Sequence, residues 1–223
     1  MTNNKAIIEV TKDYVRTTLK DAEGGHDWFH TLRVFNNSLL ISKSEQVDKL
    51  VVALGALLHD IADSKFHPDA SGGDETIAPK MAREFLFKHN VDSLVIEHVI
   101  NIIENISFHK SLEKGKKFTS PELDVIQDAD RLDAIGAIGI ARCFNYGGYK
   151  NRKLFDPSIK PNMNMSKEEY KKSTAPTINH FYEKLLLLSD KMNTKTGRRI
   201  AKQRHQFMEQ YLDQFYAEWD GKK

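Results

Sequence analysis

The chain has 223 residues, of which 33 are lysine or arginine and 31 are aspartate or glutamate, so its formal net charge is +2. A molecule this close to neutrality has no strong overall attraction to nucleic acid or to a membrane surface, and any recognition of phosphate has to be local. The single cysteine, Cys143, excludes an intramolecular disulfide and a thiolate metal cluster, and a reducing compartment is expected.

The N-terminal segment does not resemble a signal peptide. Met1 to Val10 carries Lys5 and Glu9 and has neither a long apolar stretch nor a small-residue cleavage site. The longest nearly uninterrupted apolar run, Leu50 to Leu58, is about half of the ~20 residues that span a bilayer. These features predict a cytoplasmic protein without a membrane partner.

Apolar residues recur at helical spacing in almost every segment, and runs that alternate with period two are missing. Examples are Trp28, Leu32, Phe35 and Leu39, and farther on Phe181, Leu185 and Leu188. The segment 47–61 is apolar on most faces, which is typical of a helix in the middle of a helical domain. We therefore predict an all-α protein with one globular domain over 1–223. Its predicted parts are a core at about 20–145, a loop at 146–165 that contains two glycines, and C-terminal helices at 166–220.

A histidine and an aspartate lie side by side, as His59 and Asp60, at the end of this apolar segment. Burying an imidazole and a carboxylate there is costly unless something pairs with them, and a metal ion would pair with both. Because neighbouring helical residues point about 100° apart, the pair needs further ligands from other helices. His30, on an upstream amphipathic helix, and Asp130 can supply them. Two imidazoles and two carboxylates suit Mn, Fe, Co, Ni or Zn better than Ca.

The order of the motifs is more informative than the His-Asp pair alone, since that dipeptide occurs by chance and most buried histidines only satisfy a hydrogen bond. His30 early in one helix, His-Asp at the end of a long apolar helix and Asp130-Arg131-Leu132 together resemble the HD-domain superfamily of metal-dependent phosphohydrolases. The likeness covers nearly the whole chain and is strongest to a bacterial branch that includes nucleoside triphosphate pyrophosphohydrolases. The strings that carry it are His26-Asp27-Trp28-Phe29-His30-Thr31-Leu32-Arg33-Val34, Leu57-Leu58-His59-Asp60-Ile61-Ala62-Asp63, Lys65-Phe66-His67, Gly73-Asp74-Glu75, Ile106-Ser107-Phe108, Tyr146-Gly147-Gly148 and the closing stretch 180–219.

The resemblance implies a helical HD-type bundle with a C-terminal helical extension, in which the core at about 20–145 binds the metal. It implies one divalent cation held by His30, His59, Asp60 and Asp130, with Mn favoured and Mg, Ni, Fe, Co or Zn as alternatives. Asp130 is preferred to Asp128 because it directly precedes the Arg-Leu pair.

Three residues that follow the His-Asp pair are predicted to take part in catalysis. Asp63 lies one helical turn after Asp60 and corresponds to an acidic residue of related alarmone hydrolases, so it is predicted to orient or deprotonate the attacking water. A solvated carboxylate at a helix end is the alternative for Asp63. Lys65 and His67 are among the basic groups nearest in sequence to the proposed ligands, and we predict that they supply positive charge to the phosphate.

Substrate binding is assigned to Arg33, Arg131, Tyr146 and Lys150. Arg33 follows His30 by three residues and shares its helix face. Tyr146 and Lys150 lie in the glycine-containing loop and offer a ring and a cation to a nucleotide. A structural ion pair is the alternative for Arg131, and an ordinary turn is the alternative for the loop.

Four further residues near the motifs, three histidines and a glutamate, lie outside the predicted ligand set. His26, four residues before His30, can add a metal ligand, but a helix-capping role or support of a ligand is favoured. His98 lies on an apolar stripe and is expected in the core, and His109 is not required as a ligand, so a single metal is predicted. Glu75 is either a hydrogen-bond acceptor for a ligating imidazole or a surface residue.

The predicted reaction is hydrolysis of a nucleotide phosphoanhydride, with a (d)NTP cut to a (d)NMP and pyrophosphate, a bond choice that the family resemblance implies. A 5'-nucleotidase or phosphodiesterase is the second hypothesis. The third is a non-enzymatic protein that has a structural metal and binds nucleic acid through the basic segment 191–205, which is otherwise a solvated helix face. The expected partner is a small nucleotide, without a stable nucleic-acid partner, and the sequence is compatible with a homodimer.

Overall fold

The computed structural model describes residues 4–20, 22, 25–62, 77–106, 118–166, 169 and 172–223. In these segments the regular secondary structure is helical and no strand occurs, which confirms the all-α prediction. The chain divides into two compact units, Met1–Asp130 and Arg131–Lys223. The single domain over 1–223 stays a prediction.

The first unit contains six helices within the described segments, the last of which runs across the boundary. They are α1 Asn4–Thr18, α2 Trp28–Ile41, α3 Lys49–Leu58, α4 Ile77–Lys88, α5 Ser93–Asn105 and α6 Pro121–Asp133. Helix α3 packs against α1, α2 and α5, and every residue from Val51 to Leu58 is buried. The prediction of a central apolar helix within 47–61 is therefore confirmed.

Helix α3 begins and ends at polar residues. The side chain of Asp48 accepts hydrogen bonds from the backbone N–H groups of Leu50 and Val51, which caps its N-terminus. At the other end, His59 is the C-cap and the helix gives way to a turn. The apolar helix therefore ends directly before the imidazole of His59 and the carboxylate of Asp60. None of the described helices, α3 included, has both the length and the apolar character needed to cross a membrane.

The second unit is built on α7 Gly136–Tyr149, α8 Asn179–Glu183, a 3-10 helix at Leu185–Lys191 and α9 Lys195–Trp219. Helix α9 packs against α7 and the 3-10 helix. At the start of α7, Gly136 has φ = 75°, a conformation that favours glycine, and a Cβ there would meet the Arg204 side chain at 2.9 Å. Arg204 donates to the carbonyl of Leu132, and the buried Asp133 pairs with Arg142 at 2.9 Å.

The predicted loop at 146–165 begins four residues too early. Residues Tyr146 to Tyr149 form the last turn of α7, and only from 150 to 166 is the chain free of helix. Gly147 is buried, and a Cβ on it would lie 2.2 Å from Oγ1 of Thr177. The close approach of Thr177 leaves no room for a side chain at Gly147, so packing accounts for this glycine inside the helix, whereas the sequence pattern alone indicates a break at the two glycines.

Burial in the second unit makes His180 sensitive to acid. Desolvation lowers its pKa from 6.5 to about 4, and the positive charges of Lys184 and Arg152 act in the same direction. Between these values the unfolded chain binds a proton that the folded chain does not, so the free energy of unfolding falls as the pH drops through this window. We expect His180 to contribute a loss of about 2 kcal/mol between pH 7 and pH 5.

Urea unfolding at pH 7 and pH 5 measures this loss in the wild type and in His180→Gln, which has no group that titrates in this range. The wild type should lose about 2 kcal/mol more than the variant. An equal loss in the two proteins would assign the acid sensitivity to other groups.

Candidate metal centre

The first histidine of the cluster is held in the opening turn of α2. Asp27 is the N-cap of this helix, and its Oδ1 accepts a hydrogen bond of 2.8 Å from the backbone N–H of His30. The His30 side chain is buried, and its Nε2 lies 3.4 Å from Oδ2 of Asp60 and 3.5 Å from Oδ1 of Asp130. The cap therefore places an imidazole beside two carboxylates.

His59 presents a lone pair to the same cluster. Its Nδ1 lies 2.9 Å from the carbonyl oxygen of Ala56, and because a carbonyl can only accept, Nδ1 carries the proton. In the neutral ring Nε2 is then the unprotonated nitrogen. Among the described residues Nε2 is buried and makes no hydrogen bond, and it lies 3.5 Å from Oδ2 of Asp60.

One oxygen of Asp60 is the common contact of three imidazoles. Its Oδ2 is 2.9 Å from Nδ1 of His26, and it also lies next to His30 and His59. Burial acts to raise the pKa of Asp60, but the charge that His59 carries when it is protonated, together with side-chain hydrogen bonds from His26 and His30, acts in the opposite direction and holds that pKa well below its usual range. Asp60 is therefore present as a carboxylate.

Asp130 contributes the second carboxylate from α6. It lies in the last part of the helix, and its side chain is 44% exposed, so it faces both His30 and solvent. Asp128, two residues earlier, is fully buried and is not among the residues grouped around the two histidines. The ligand atoms of His30, His59 and Asp130 all lie within 4.8 Å of one another, and so do those of His26, His30 and Asp60.

The distances and the donor set both fit a divalent cation. Ligand atoms bonded to one ion at about 2.1 Å lie about 3.0 to 3.4 Å apart, close to the His30 and His59 separations of 3.4 and 3.5 Å from Asp60. An imidazole lone pair that faces a carboxylate oxygen is repelled unless a cation lies between them. Two imidazole nitrogens and two carboxylates suit a transition-metal ion.

Comparisons with known proteins show to which family this chain belongs. The family model of the HD domain matches residues 28–135, a range that includes His30, His59, Asp60 and Asp130. YpgQ from Bacillus subtilis (strain 168) is 34% identical over 213 residues, which cover 96% of this chain and 94% of YpgQ. This chain belongs to the HD-domain superfamily.

Solved structures share this fold over nearly the whole chain. An HD-superfamily hydrolase from Bacillus thuringiensis matches with a TM-score of 0.77 and 37% identity, covering 98% of this chain and 99% of that one. The crystal structure of YpgQ in complex with ADP matches with a TM-score of 0.73 and 31% identity, covering 96% of each chain. The HD fold supports metal-dependent phosphohydrolase activity, and HD domains bind divalent metals.

The predicted catalytic residues Asp63, Lys65 and His67 lie outside the described residues, as do Glu75 and His109. Of the predicted substrate-binding residues, Arg33 lies on α2 and is partly buried. Their roles stay predictions.

The other predicted substrate-binding residues belong to the second unit. Arg131 donates a hydrogen bond of 2.5 Å to the carbonyl oxygen of Lys191. This contact is with the backbone, whereas the alternative to substrate binding by Arg131 is a structural ion pair. Tyr146 is 44% exposed, and the Lys150 ammonium lies 5.7 Å from the centre of its ring and 4.9 Å from that of Tyr149. Substrate binding by these side chains remains a prediction.

Two further histidines differ in their relation to the cluster. The sequence favours helix capping or support of a ligand as the role of His26. The structure assigns the cap to Asp27 and places His26 against Asp60. The four-residue spacing from His30 was the only sequence signal for that contact. His98 is partly buried and hydrogen-bonds Ser120 at 3.0 Å, and it belongs to neither group of clustered ligand atoms.

Proposed function

We propose that this protein hydrolyses nucleoside or deoxynucleoside triphosphates to the monophosphate and pyrophosphate, using one divalent cation held by His30, His59, Asp60 and Asp130. The observation that carries the proposal is the clustering of the buried Nε2 atoms of His30 and His59 with the carboxylates of Asp60 and Asp130. A divalent cation would balance the two carboxylates, and with these four protein ligands an octahedral ion would keep coordination positions for water and phosphate.

Some of these side chains are proposed to hold the ion, and others to act on the attacking water and the phosphate. The Ala56 carbonyl keeps the proton of His59 on Nδ1, so that Nε2 stays free to ligate, and the lowered pKa of Asp60 keeps it ionised. A divalent ion held by these four residues would polarise a phosphoryl oxygen and would activate water for attack. Asp63 is proposed to orient that water or accept its proton, and Lys65 and His67 are proposed to balance charge on the phosphate.

A nucleotide is the proposed substrate because the related YpgQ was crystallised with ADP. The net charge of +2 supplies little general attraction for phosphate, so binding would depend on local cations. Arg33 and Arg131 are proposed to contact phosphate, and Tyr146 with Lys150 is proposed to contact the base or sugar. We favour Mn, with Mg, Ni, Fe, Co and Zn as alternatives, because the donor set mixes nitrogen and oxygen.

Analogues in which a methylene group replaces one bridging oxygen show which phosphoanhydride bond is cleaved. Purified protein is incubated with Mn²⁺ and a panel of ribo- and deoxyribonucleotides, and the products are resolved by anion-exchange chromatography. We expect monophosphate and pyrophosphate from triphosphates. The β,γ-methylene analogue should still be cleaved, to monophosphate and methylenediphosphonate, whereas the α,β-methylene analogue should resist.

The same assay separates the alternatives. Orthophosphate released from monophosphates would indicate a 5'-nucleotidase, and cleavage of a dinucleotide or cyclic nucleotide would indicate a phosphodiesterase. Resistance of the β,γ-methylene analogue together with release of orthophosphate from the triphosphate would contradict cleavage between the α and β phosphates. His98→Ala serves as a control, because it removes a histidine that lies outside both groups of clustered ligand atoms.

A further inference from the structure

His26 contacts two members of the proposed metal centre without belonging to the predicted ligand set. Its Nδ1 lies 2.9 Å from Oδ2 of Asp60, and its ring packs edge-on against His30 with centroids 5.5 Å apart and an interplanar angle of 64°. The bond to Asp60 joins residues 34 apart in the sequence, and it links the start of α2 to the end of α3.

His26 lies closer to Oδ2 of Asp60 than His30 and His59 do. At 2.9 Å from Asp60 Oδ2, Nδ1 of His26 is at the usual N–H···O hydrogen-bond distance, whereas the Nε2 atoms of His30 and His59, at 3.4 and 3.5 Å, lie beyond that usual distance. An ionised carboxylate only accepts, so Nδ1 of His26 is the donor. A nitrogen that donates a proton to a ligand oxygen has no lone pair available for the ion.

The backbone around His26 is held in place. The next residue, Asp27, caps α2 through the backbone N–H of His30, so the same turn sets the positions of both histidines. His26 itself is 30% exposed, and the hydrogen bond to Asp60 gives its ring a defined orientation at this partly open edge.

We propose that His26 is a positioning residue for the metal centre: its Nδ1–H donates to Oδ2 of Asp60 and holds that carboxylate in the orientation that ligates the ion, while His26 itself does not ligate. This inference rests on the proposed metal site. A carboxylate already oriented by a neighbour loses less conformational freedom on binding metal, and loss of such a neighbour typically costs 10- to 100-fold in affinity, an order-of-magnitude range.

The test uses variants that keep or remove the donor. In His26→Asn the side-chain amide nitrogen takes approximately the place of Nδ1, whereas His26→Ala has no donor. We expect His26→Ala to raise the Kd for Mn²⁺ about 10- to 100-fold and His26→Asn to stay within about threefold of wild type, as measured by calorimetry on the full chain. His98→Ala, which removes a histidine of similar exposure (29%), should leave the Kd unchanged.

Each outcome decides the matter. If His26→Ala and His26→Asn lose affinity equally while both keep the wild-type melting temperature, His26 is a ligand and the positioning role is wrong. If neither loses affinity, the hydrogen bond has no role in metal binding and the inference is wrong as well. If the wild type binds no Mn²⁺ or other divalent ion, the proposed metal centre fails and this inference fails with it.

Discussion

Asp60→Asn is expected to lower Mn²⁺ affinity by at least about 100-fold and nucleotide hydrolysis on the order of 1000-fold, with the helical content unchanged. The amide has the size of the carboxylate and still accepts a hydrogen bond from His26, so the fold should survive. The asparagine lacks the negative charge of the carboxylate, whose Oδ2 lies next to His26, His30 and His59. Calorimetry, anion-exchange assay and circular dichroism measure the three quantities.

The control is Asp48→Asn at the opposite end of the same helix. Asp48 caps α3 through its side-chain oxygen, and asparagine is an equally good N-cap, so metal binding and hydrolysis should remain at the wild-type level. Because both variants remove one carboxylate from α3 or its ends, a general effect of charge would affect both. Hydrolysis by Asp60→Asn within tenfold of wild type would reject Asp60 as a ligand.

Gly147→Ala is expected to destabilise the protein by about 2 to 3 kcal/mol. The added methyl would lie 2.2 Å from Oγ1 and 3.0 Å from Cγ2 of Thr177, whose side chain is buried and cannot move aside freely. Gly148, the next residue of α7, offers the matched control, since a Cβ there meets nothing within 4 Å. Gly148→Ala should be neutral or stabilising by up to about 1 kcal/mol. Urea unfolding curves measure both changes.

A double variant tests the cause of this destabilisation. Thr177→Ala removes the two atoms that clash most closely, so Gly147→Ala should cost less in that background than in the wild type, by about 1 kcal/mol or more. Equal costs in the two backgrounds would attribute the effect to something other than Thr177. Equal stability of the Gly147 and Gly148 variants would contradict the packing explanation altogether.

The structure places Gly147 and Gly148 in a helix, whereas the sequence pattern indicates a loop. From the sequence, the string Tyr146-Gly147-Gly148 indicates a loop in which backbone can approach a nucleotide closely. In the structure the close approach at Gly147 is to Thr177, and both glycines are helical. A side-chain role for Tyr146 and Lys150 is a separate matter, because both remain exposed.

The sequence by itself determined the helical class, the central apolar helix and the family. Helical periodicity is a local property that neighbouring residues carry, so the apolar pattern of 47–61 was enough to predict α3. Burying a histidine and an aspartate at the end of that helix costs free energy unless they are paired, which identified His59 and Asp60 as candidate metal ligands. The order of the motifs added His30 and Asp130.

Only the tertiary structure decided which atoms meet. His30 and Asp130 are 100 residues apart and His26 and Asp60 are 34 apart, so their contacts depend on how helices pack and leave no local pattern. The proton position on His59, the cap by Asp27 and the extension of α7 through Gly147 are likewise set by neighbours in space. The physical reason is that helix propensities differ by about 1 kcal/mol or less between most residues. A steric clash in a packed core, or a buried polar group without a partner, changes the free energy of unfolding by up to several times that amount.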